Sequence, residues 1–296
     1  MMNFDEFKRQ VESIIQKKVI DAKVEIHKVV KNNSVNLTGL TVVNDKTEAS
    51  PCIYLEEFYA DLCSGKSLSQ IVDEIWNFYQ ENKVEECVDT SVFTDWEQAK
   101  QRVVCKLINY NENKDLLKQI PHKKFLNLAE VYIYIWGKHE QAIGTVLIKN
   151  VHMNLWGITQ DELEEVAYRN YELICASSVE TMDNIFHRCF GDMEEQQQDI
   201  SVHMYVVTNR LKLNGATSML FPEIFKKISD VYESDLYILP SSLHEVIALP
   251  KIENNALELK EMVIEVNSTI VKKEERLSDS VYCYLREKEV VEIALE

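Results

Sequence analysis

The stretch "DLYILPSSLHEVIALP", residues 235–250, decides the fold prediction for the second half of the chain. Its two ends, "DLYILP" and "VIALP", are short apolar runs that stop at proline, a pattern typical of buried strands. Between them, residues 241–245 place two serines, a histidine and a glutamate within five positions. The sequence therefore predicts two strands that meet at a polar corner.

The segment before residue 235 determines which other strand can lie beside the polar corner. It contains a strand pattern, "MYVVTN", and a helix pattern, "PEIFKKISDVY", with Pro222 well placed in the first helical turn. Strand, connection and strand of this length are compatible with one βαβ unit over residues 203–240. Both strands would then end at the same sheet edge, which would bring Thr208 and Asn209 close to the corner. The alternative is a hairpin at "LNG", residues 213–215, which would separate the two groups.

The rest of the chain mixes helix and strand patterns without a regular βαβ repeat. Apolar spacing of three and four predicts helices over residues 3–19, 54–63, 68–82, 95–109, 160–175, 222–232 and 256–270. Alternation predicts hairpins over residues 23–43 and 125–153 and a last strand pair over residues 281–295. These patterns favour an α+β fold with mixed or antiparallel sheets and packed helices.

A polar stretch that ends near Pro121 suggests a division of the chain. On this basis we expect an N-terminal α+β region over residues 1–118, made of a helix, a hairpin and further helices. A C-terminal α+β region would follow over residues 119–296, and the alternative is a single compact unit.

Composition predicts a soluble cytoplasmic protein. The chain has 296 residues, of which 46% are hydrophobic and 27% are charged, as in ordinary globular proteins. No apolar run approaches the roughly 18 residues that span a bilayer, and "MMNFDEFKRQ" has no secretory signal pattern. The seven scattered cysteines form no C-x-x-C pair, which favours a reducing compartment.

The charge is strongly acidic and uneven. The net charge is −17, and residues 151–296, with 13 basic and 27 acidic side chains, carry −14 of it. Such a surface repels phosphate backbones and anionic lipids, so we expect neither nucleic-acid nor membrane binding.

Familiar cofactor and metal motifs are missing. Seven widely spaced glycines leave no G-x-G-x-x-G or G-x-S-x-G pattern, and "GKS" at 65–67 lacks the first P-loop glycine because Ala60 stands there. His244-Glu245 is not a zinc motif because Ala248 occupies the second histidine position. "HRC" at 187–189, taken with His203, matches no metal-ligand spacing. We therefore predict neither a cofactor nor a metal.

The polar corner is the best candidate site, and it has two interpretations. In a hydrolase, Ser241 or Ser242 would be the nucleophile, His244 its base and Asn209 a polarising group. Adjacent residues of an extended strand point to opposite faces, so His244 and Glu245 would not serve one site together. As a binding site, the corner would use Thr208, Asn209 and Glu245. Serines after proline are also common turn residues whose hydroxyls cap backbone groups.

Three stretches together resemble an uncharacterised bacterial protein family of unknown function. They are "LINYNENKDLLKQIPHKKFLNLAEVY" (107–132), "YVVTNRLKLNGA" (205–216) and the opening stretch with its "LPSSLHEV". The resemblance covers most of the chain and implies a bacterial cytosolic protein, but it carries no known active site.

Two functional hypotheses follow. The first is a cytosolic binding or regulatory protein without cofactor-dependent catalysis, whose partner is a protein or a small ligand. The second is a hydrolase built around the Ser/His corner. A hydrogen bond between a serine oxygen and the histidine ring would distinguish them.

Overall fold

A computed structural model describes residues 2–43, 50–83, 94–139, 142–190, 204–252 and 254–295. The chain forms two compact units, Met1–Val92 and Phe93–Glu296. Each unit has helices packed on antiparallel sheets, which confirms the α+β prediction.

The first unit packs three helices against a small sheet. The helices are α1 (Phe4–Lys18), α2 (Leu55–Cys63) and α3 (Leu68–Asn82), and the strands are β1 (Lys23–Val30), β2 (Asn36–Val43) and β3 (Ile53–Tyr54). β2 pairs with β1 and β3, so the hairpin predicted over residues 23–43 is confirmed. Capping boxes at Asn3/Glu6 and Ser67/Gln70 begin α1 and α3 as their sequences predict.

The second unit begins with a four-stranded antiparallel sheet. Its strands are β4 (Val103–Asn109), β5 (His122–Phe125), β6 (Leu128–His139) and β7 (Ala142–Leu147). The long strand β6 pairs with β4 along one side and with β5 and β7 along the other. Because β4 pairs with β6, residues 103–109 lie in the second unit, before the predicted division at residues 118/119.

The helix predicted over residues 95–109 is wrong. The short α4 (Trp96–Ala99) and one 3₁₀ turn at Lys100–Arg102 form there, and "VVCKLIN" is strand β4. Five of the seven β4 residues are buried, so the strand is apolar on both faces. A short run of this kind shows neither helical nor strand periodicity, and its sequence therefore does not distinguish a strand from a helix.

In the described part of the second unit, six α-helices follow α4. They are α5 (Lys114–Leu117), α6 (Asn150–Trp156), α7 (Gln160–Asn170), α8 (Met182–Phe190), α9 (Glu223–Tyr232) and α10 (Ala256–Thr269). A capping box at Thr159/Glu162 begins α7, and the helix continues into one π-helical turn at Tyr171–Cys175. None of the helices described is both long and apolar enough to cross a membrane.

A six-stranded sheet forms the larger part of the second unit. Its strands are β8 (Ser177–Thr181), β9 (Tyr205–Asn209), β10 (Leu236–Pro240), β11 (Val246–Pro250), β12 (Val281–Leu285) and β13 (Val290–Leu295), in the order β13-β12-β10-β11-β9-β8. The β10–β11 hairpin is the stretch quoted first, and both of its strands are buried at nearly every position. Leu236 and Ile238 enter one core, whereas Tyr237 and Leu239 enter a second core on the opposite face with α10.

The β9–α9–β10 connection is a βαβ unit. β9 and β10 are each antiparallel to β11, so they run parallel to each other with β11 between them. The unit predicted over residues 203–240 is confirmed for its described part, which begins at Tyr205 in β9. The hairpin alternative at "LNG" is wrong, because β9 pairs with β8 and β11.

Candidate functional site

The polar corner, residues 241–245, joins β10 to β11 in a tight turn. The backbone amides of Ser241 and Ser242 both donate to the carbonyl of Glu245, at 3.3 and 3.2 Å. The Ser241 hydroxyl also donates to Glu245 Oε1 at 3.3 Å. The turn thus uses backbone and side-chain groups of the same few residues to close on itself.

His244 is held through both its ring and its backbone amide. Its ring Nδ1 accepts the amide N–H of Asn214 at 3.1 Å, and its own amide donates to Ser242 Oγ at 3.0 Å. Nδ1 is therefore the acceptor, and a neutral ring carries its proton on Nε2. The hydrogen bonds found at the two serines join Ser241 to Glu245 and Ser242 to the His244 amide.

The end of β9 meets the corner as the βαβ prediction requires. The Thr208 hydroxyl donates to the carbonyl of His244 at 2.7 Å. Asn209 is only 1% exposed, and its side chain holds the turn that follows β9. The side-chain Nδ2 of Asn209 donates to Leu213 O at 2.8 Å. Its Oδ1 accepts from the backbone amides of Leu211 and Leu213 at 3.0 and 3.3 Å.

Gly215 allows this close approach. A methyl group there would overlap both Thr208 Oγ1 and His244 O and would lie 2.8 Å from Asn209 N. The residue before it, Asn214, has a φ of 54°, a value that asparagine tolerates better than most residues. The glycine of the second motif is therefore required by the contact between β9 and the corner.

Behind the corner lies the π-helical turn after α7. The amide of Ala176 donates to Tyr171 O at 2.8 Å, which widens the last turn by one residue. The Tyr171 ring stacks on Phe221, with centroids 4.5 Å apart and planes 6° from parallel. Its hydroxyl lies 3.3 Å from Ser218 Oγ, and Ser218 in turn donates to Thr208 O at 3.0 Å. Burial raises the pKa of Tyr171 to about 12, so its hydroxyl stays protonated at neutral pH.

A surface pocket of about 180 Å³ opens beside this turn. We call it the Tyr171 pocket. The residues that line it come from the π-helical turn, the start of β8 and the start of α9: Tyr171, Glu172, Ala176, Ser177, Phe221, Glu223, Ile224 and Lys227. Its walls are mainly apolar, and its charged groups are one lysine and two glutamates, all exposed. Ser177 pairs with Asn209 across β8 and β9, so the β8–β9 pair connects the pocket to the strand that contacts the corner.

A second polar group lies inside the four-stranded sheet. Glu130 on β6 is 1% exposed, and the Tyr168 hydroxyl of α7 donates to its Oε2 at 2.8 Å. Glu130 Oε1 and the hydroxyl of the neighbouring Tyr132 are both buried without a geometrically good hydrogen bond. We call Glu130, Tyr132 and Tyr168 the Glu130 cluster. Burial raises the pKa of the Glu130 carboxyl, an effect larger than the opposing one of the Tyr168 hydrogen bond.

Comparison with protein families matches residues 4–286 to a family of unknown function, DUF5688. The chain belongs to this family. The match spans almost the whole chain and confirms the predicted membership in an uncharacterised family. No curated protein and no solved structure matches the chain.

Metal-ligand clusters are not found in the described part of the chain, where no three His, Cys, Asp or Glu side chains converge in a way that could hold an ion. Of the three residues considered in the sequence, His203 lies outside the described residues.

Sequence patterns missed the Tyr171 pocket and the Glu130 cluster. The π-helical turn lies inside a predicted helix over residues 160–175, and its extra backbone residue leaves no mark on the apolar spacing. Glu130 did leave a signal, because it is one carboxyl within the otherwise apolar "NLAEVYIYI". A buried charged residue without an obvious partner is a reason to look for a function.

Proposed function

We propose that this DUF5688 protein is a cytoplasmic binding protein that holds a small molecule in the Tyr171 pocket, without cofactor-dependent catalysis. The observation that carries the proposal is the pocket itself, with its stacked aromatic wall and a charged rim. Pockets for drug-sized ligands measure roughly 300–1,000 Å³. A volume of about 180 Å³ therefore favours a ligand about the size of an amino acid.

The rim charges favour a ligand that carries both signs. Lys227 would attract a carboxylate or phosphate, whereas Glu172 and Glu223 would attract an ammonium group. Glu223 and Lys227 are one turn apart on α9, yet no ion pair joins them among the described residues. The charged groups of the rim are thus available to a ligand, and we infer a small zwitterion with an apolar body.

Under this proposal the polar corner supports the pocket and does not perform chemistry. Thr208 and Asn209 fix the end of β9, and Ser218 connects Thr208 to the Tyr171 hydroxyl. Glu245 accepts from Ser241 within the corner. The binding roles predicted for Thr208, Asn209 and Glu245 would therefore be indirect.

The test is a pair of tryptophan substitutions on adjacent residues. Ser177 lines the pocket, whereas Ser178 is exposed and pairs with Thr208. Amino acids and related zwitterions would be screened against the wild-type protein by saturation-transfer NMR. We expect Ser177→Trp to abolish the signal of any binder and Ser178→Trp to preserve it. Equal loss in both variants, or no binder in the screen, would contradict the proposal.

The hydrolase hypothesis has its own test. The hydrogen bonds of the corner favour binding, since they pair Ser241 with Glu245 and the His244 ring with a backbone amide. A fluorophosphonate probe would label an activated serine. Labelling of the wild type that is lost in Ser241→Ala, Ser242→Ala or His244→Ala would replace the binding proposal with a Ser/His enzyme.

A further inference from the structure

The Glu130 cluster lies between the four-stranded sheet and α7. Glu130 and Tyr132 are two positions apart on β6, so they point to the same face of the sheet. Their partners on β4 are Leu107 and Cys105, both buried. The Tyr168 hydroxyl reaches this face from α7.

Ionised Glu130 would leave this face poorly satisfied. A carboxylate only accepts hydrogen bonds, so it can use the Tyr168 hydroxyl and, if the geometry closes, the Tyr132 hydroxyl. Oε1 and the Tyr132 hydroxyl nevertheless lack a well-formed bond, although they are neighbours. A hydrogen bond between these two oxygens could take its proton from either atom, but only a proton on Oε1 also removes the buried charge. Leaving a charge buried with one hydrogen bond is much more costly than neutralising it.

The charged groups around Glu130 compensate a buried negative charge only in small part, since Lys123, its cross-strand neighbour on β5, lowers the pKa of the carboxyl less than burial raises it. Glu164 on α7 adds a second negative charge, and it forms an ion pair with Lys123 of β5. Lys123 is 53% exposed and is therefore already engaged and solvated. On β4, Cys105 is buried, and its thiol pKa is raised well above the ordinary value by burial first and by Glu130 next.

We propose that Glu130 keeps its proton in the folded protein at neutral pH, shares it in a hydrogen bond to the Tyr132 oxygen, and binds Tyr168 of α7 without placing a charge beneath that helix. Neutral Glu130 accepts from Tyr168 and donates to Tyr132, which links helix and strand through one carboxyl group. Loss of the proton places a charge beneath α7 next to Glu164.

The consequence for binding rests on the proposed function. Tyr168 is three residues before Tyr171, and α7 leads directly into the π-helical turn that lines the pocket. The proton on Glu130 therefore regulates the position of Tyr171 and Glu172. Alkaline pH should loosen this turn and weaken ligand binding.

The sign of the stability effect follows from the raised pKa. An unfolded glutamate ionises near pH 4.3, whereas Glu130 in the folded protein ionises at higher pH because burial disfavours its charge. The folded state thus binds the extra proton between these two values, and stability contributed by Glu130 falls as pH rises through that window.

Infrared spectroscopy and Glu130→Gln test the proton directly, without any ligand. Wild-type protein in D₂O at neutral pH should show the C=O band of a protonated carboxyl group, which shifts in Tyr132→Phe and disappears in Glu130→Gln.

The glutamine variant keeps both hydrogen bonds without a charge. Its Tm should exceed that of the wild type by a margin that grows by roughly 10 °C from pH 4 to pH 8. Absence of the band, or a margin independent of pH, would overturn the protonation. Glu165→Gln on the exposed side of α7 is the control, with no growing margin expected.

Hydrogen exchange tests the coupling to the pocket. At pH 9, amides of α7 and of residues 171–175 should exchange several-fold faster in the wild type than in Glu130→Gln, with no difference at pH 6. A protonated-carboxyl band together with equal exchange at pH 9 would overturn the coupling. Failure of the ligand screen, in contrast, would affect only the proposed function, since neither measurement uses a ligand.

Discussion

The polar corner and the Glu130 cluster are both polar groups within the second unit, but they differ in how well they are satisfied. In the corner, Ser241, Ser242, His244 and Thr208 each hydrogen-bond within the fold. In the Glu130 cluster, one carboxylate oxygen and one tyrosine hydroxyl lack a well-formed bond despite their burial. A conspicuous sequence motif thus marks a hydrogen-bonded turn, whereas a single carboxyl in an apolar strand marks buried polar atoms without well-formed hydrogen bonds.

This difference has a physical basis. Backbone groups at a turn need partners, and small polar side chains supply them locally, so turns collect serine, asparagine and histidine for structural reasons. An unsatisfied buried group costs free energy, about 1–3 kcal/mol, and persists only with a compensating reason. Unsatisfied buried groups therefore need an explanation that polar turn residues do not.

Gly215→Ala should have the largest effect, because it breaks the joint between β9 and the corner. The added methyl group would overlap Thr208 Oγ1 and His244 O, and overpacking of this kind costs about 3 kcal/mol. Urea unfolding of the whole chain measures the loss. Gly157→Ala is the control: its φ of 67° is left-handed but its surroundings are open, so about 1 kcal/mol is expected. Equal losses in the two variants would mean that β9 does not approach the corner so closely.

Asn209→Ala should cost about 2 kcal/mol, because it leaves the amides of Leu211 and Leu213 and the carbonyl of Leu213 without their partner. Thermal unfolding followed by circular dichroism gives the difference. Asn82→Ala removes a single hydrogen bond at an exposed helix end and should change stability by less than about 0.5 kcal/mol. A mild effect at Asn209 would favour a direct role in binding over the structural one.

Tyr168→Phe and Tyr132→Phe sharpen the description of the Glu130 cluster. Tyr168→Phe removes the donor to Glu130 Oε2 and should cost about 1 kcal/mol at neutral pH. Tyr132→Phe should cost a similar amount if Glu130 is protonated, because the proton then loses its acceptor. Chemical denaturation at pH 7 compares the two. A neutral or stabilising Tyr132→Phe would show that its hydroxyl accepts nothing from Glu130.

Lys227→Ala should have the smallest effect on stability, within about 0.5 kcal/mol, because the side chain is exposed. If the Tyr171 pocket binds a zwitterion, the same change should weaken binding about tenfold, which corresponds to about 1.4 kcal/mol. Calorimetric titration with a ligand from the NMR screen measures it. Lys226→Ala on the same helix, whose ion pair is with Glu289, is the matched control. Unchanged affinity in Lys227→Ala would remove the lysine from the site.

Much of the fold is predictable because its determinants are local. Capping boxes fix the starts of α1, α3 and α7 through bonds between residues three positions apart. The approach of Thr208 to His244 also followed from the sequence, since the βαβ connection places two strand ends together. β4 did not follow, because its apolar run fits a helix equally well until its pairing with β6 is known.

The candidate site depended on long-range contacts and was therefore only partly predictable. The Tyr171 pocket needs the π-helical turn, β8 and the start of α9 together, and these come from separate parts of the chain. Glu130 becomes unusual only once α7 covers it and Tyr168 reaches its carboxyl group. The catalytic roles predicted for Ser241, Ser242 and His244 stay predictions until the serine-probe experiment is done.

The position of β11 also constrains the order in which the sheet assembles. β10 and β11 are joined by only five residues and can pair as soon as both are synthesised, whereas β9 can pair with β11 only after α9 and β10 have been synthesised. Short hairpins close in about 1–10 μs, and longer loops cost more entropy to close. We therefore expect the β10–β11 hairpin to form before β9 joins the six-stranded sheet. A nascent chain that ends before Pro250 would present β9 as an unpaired edge, which is a site of aggregation during synthesis.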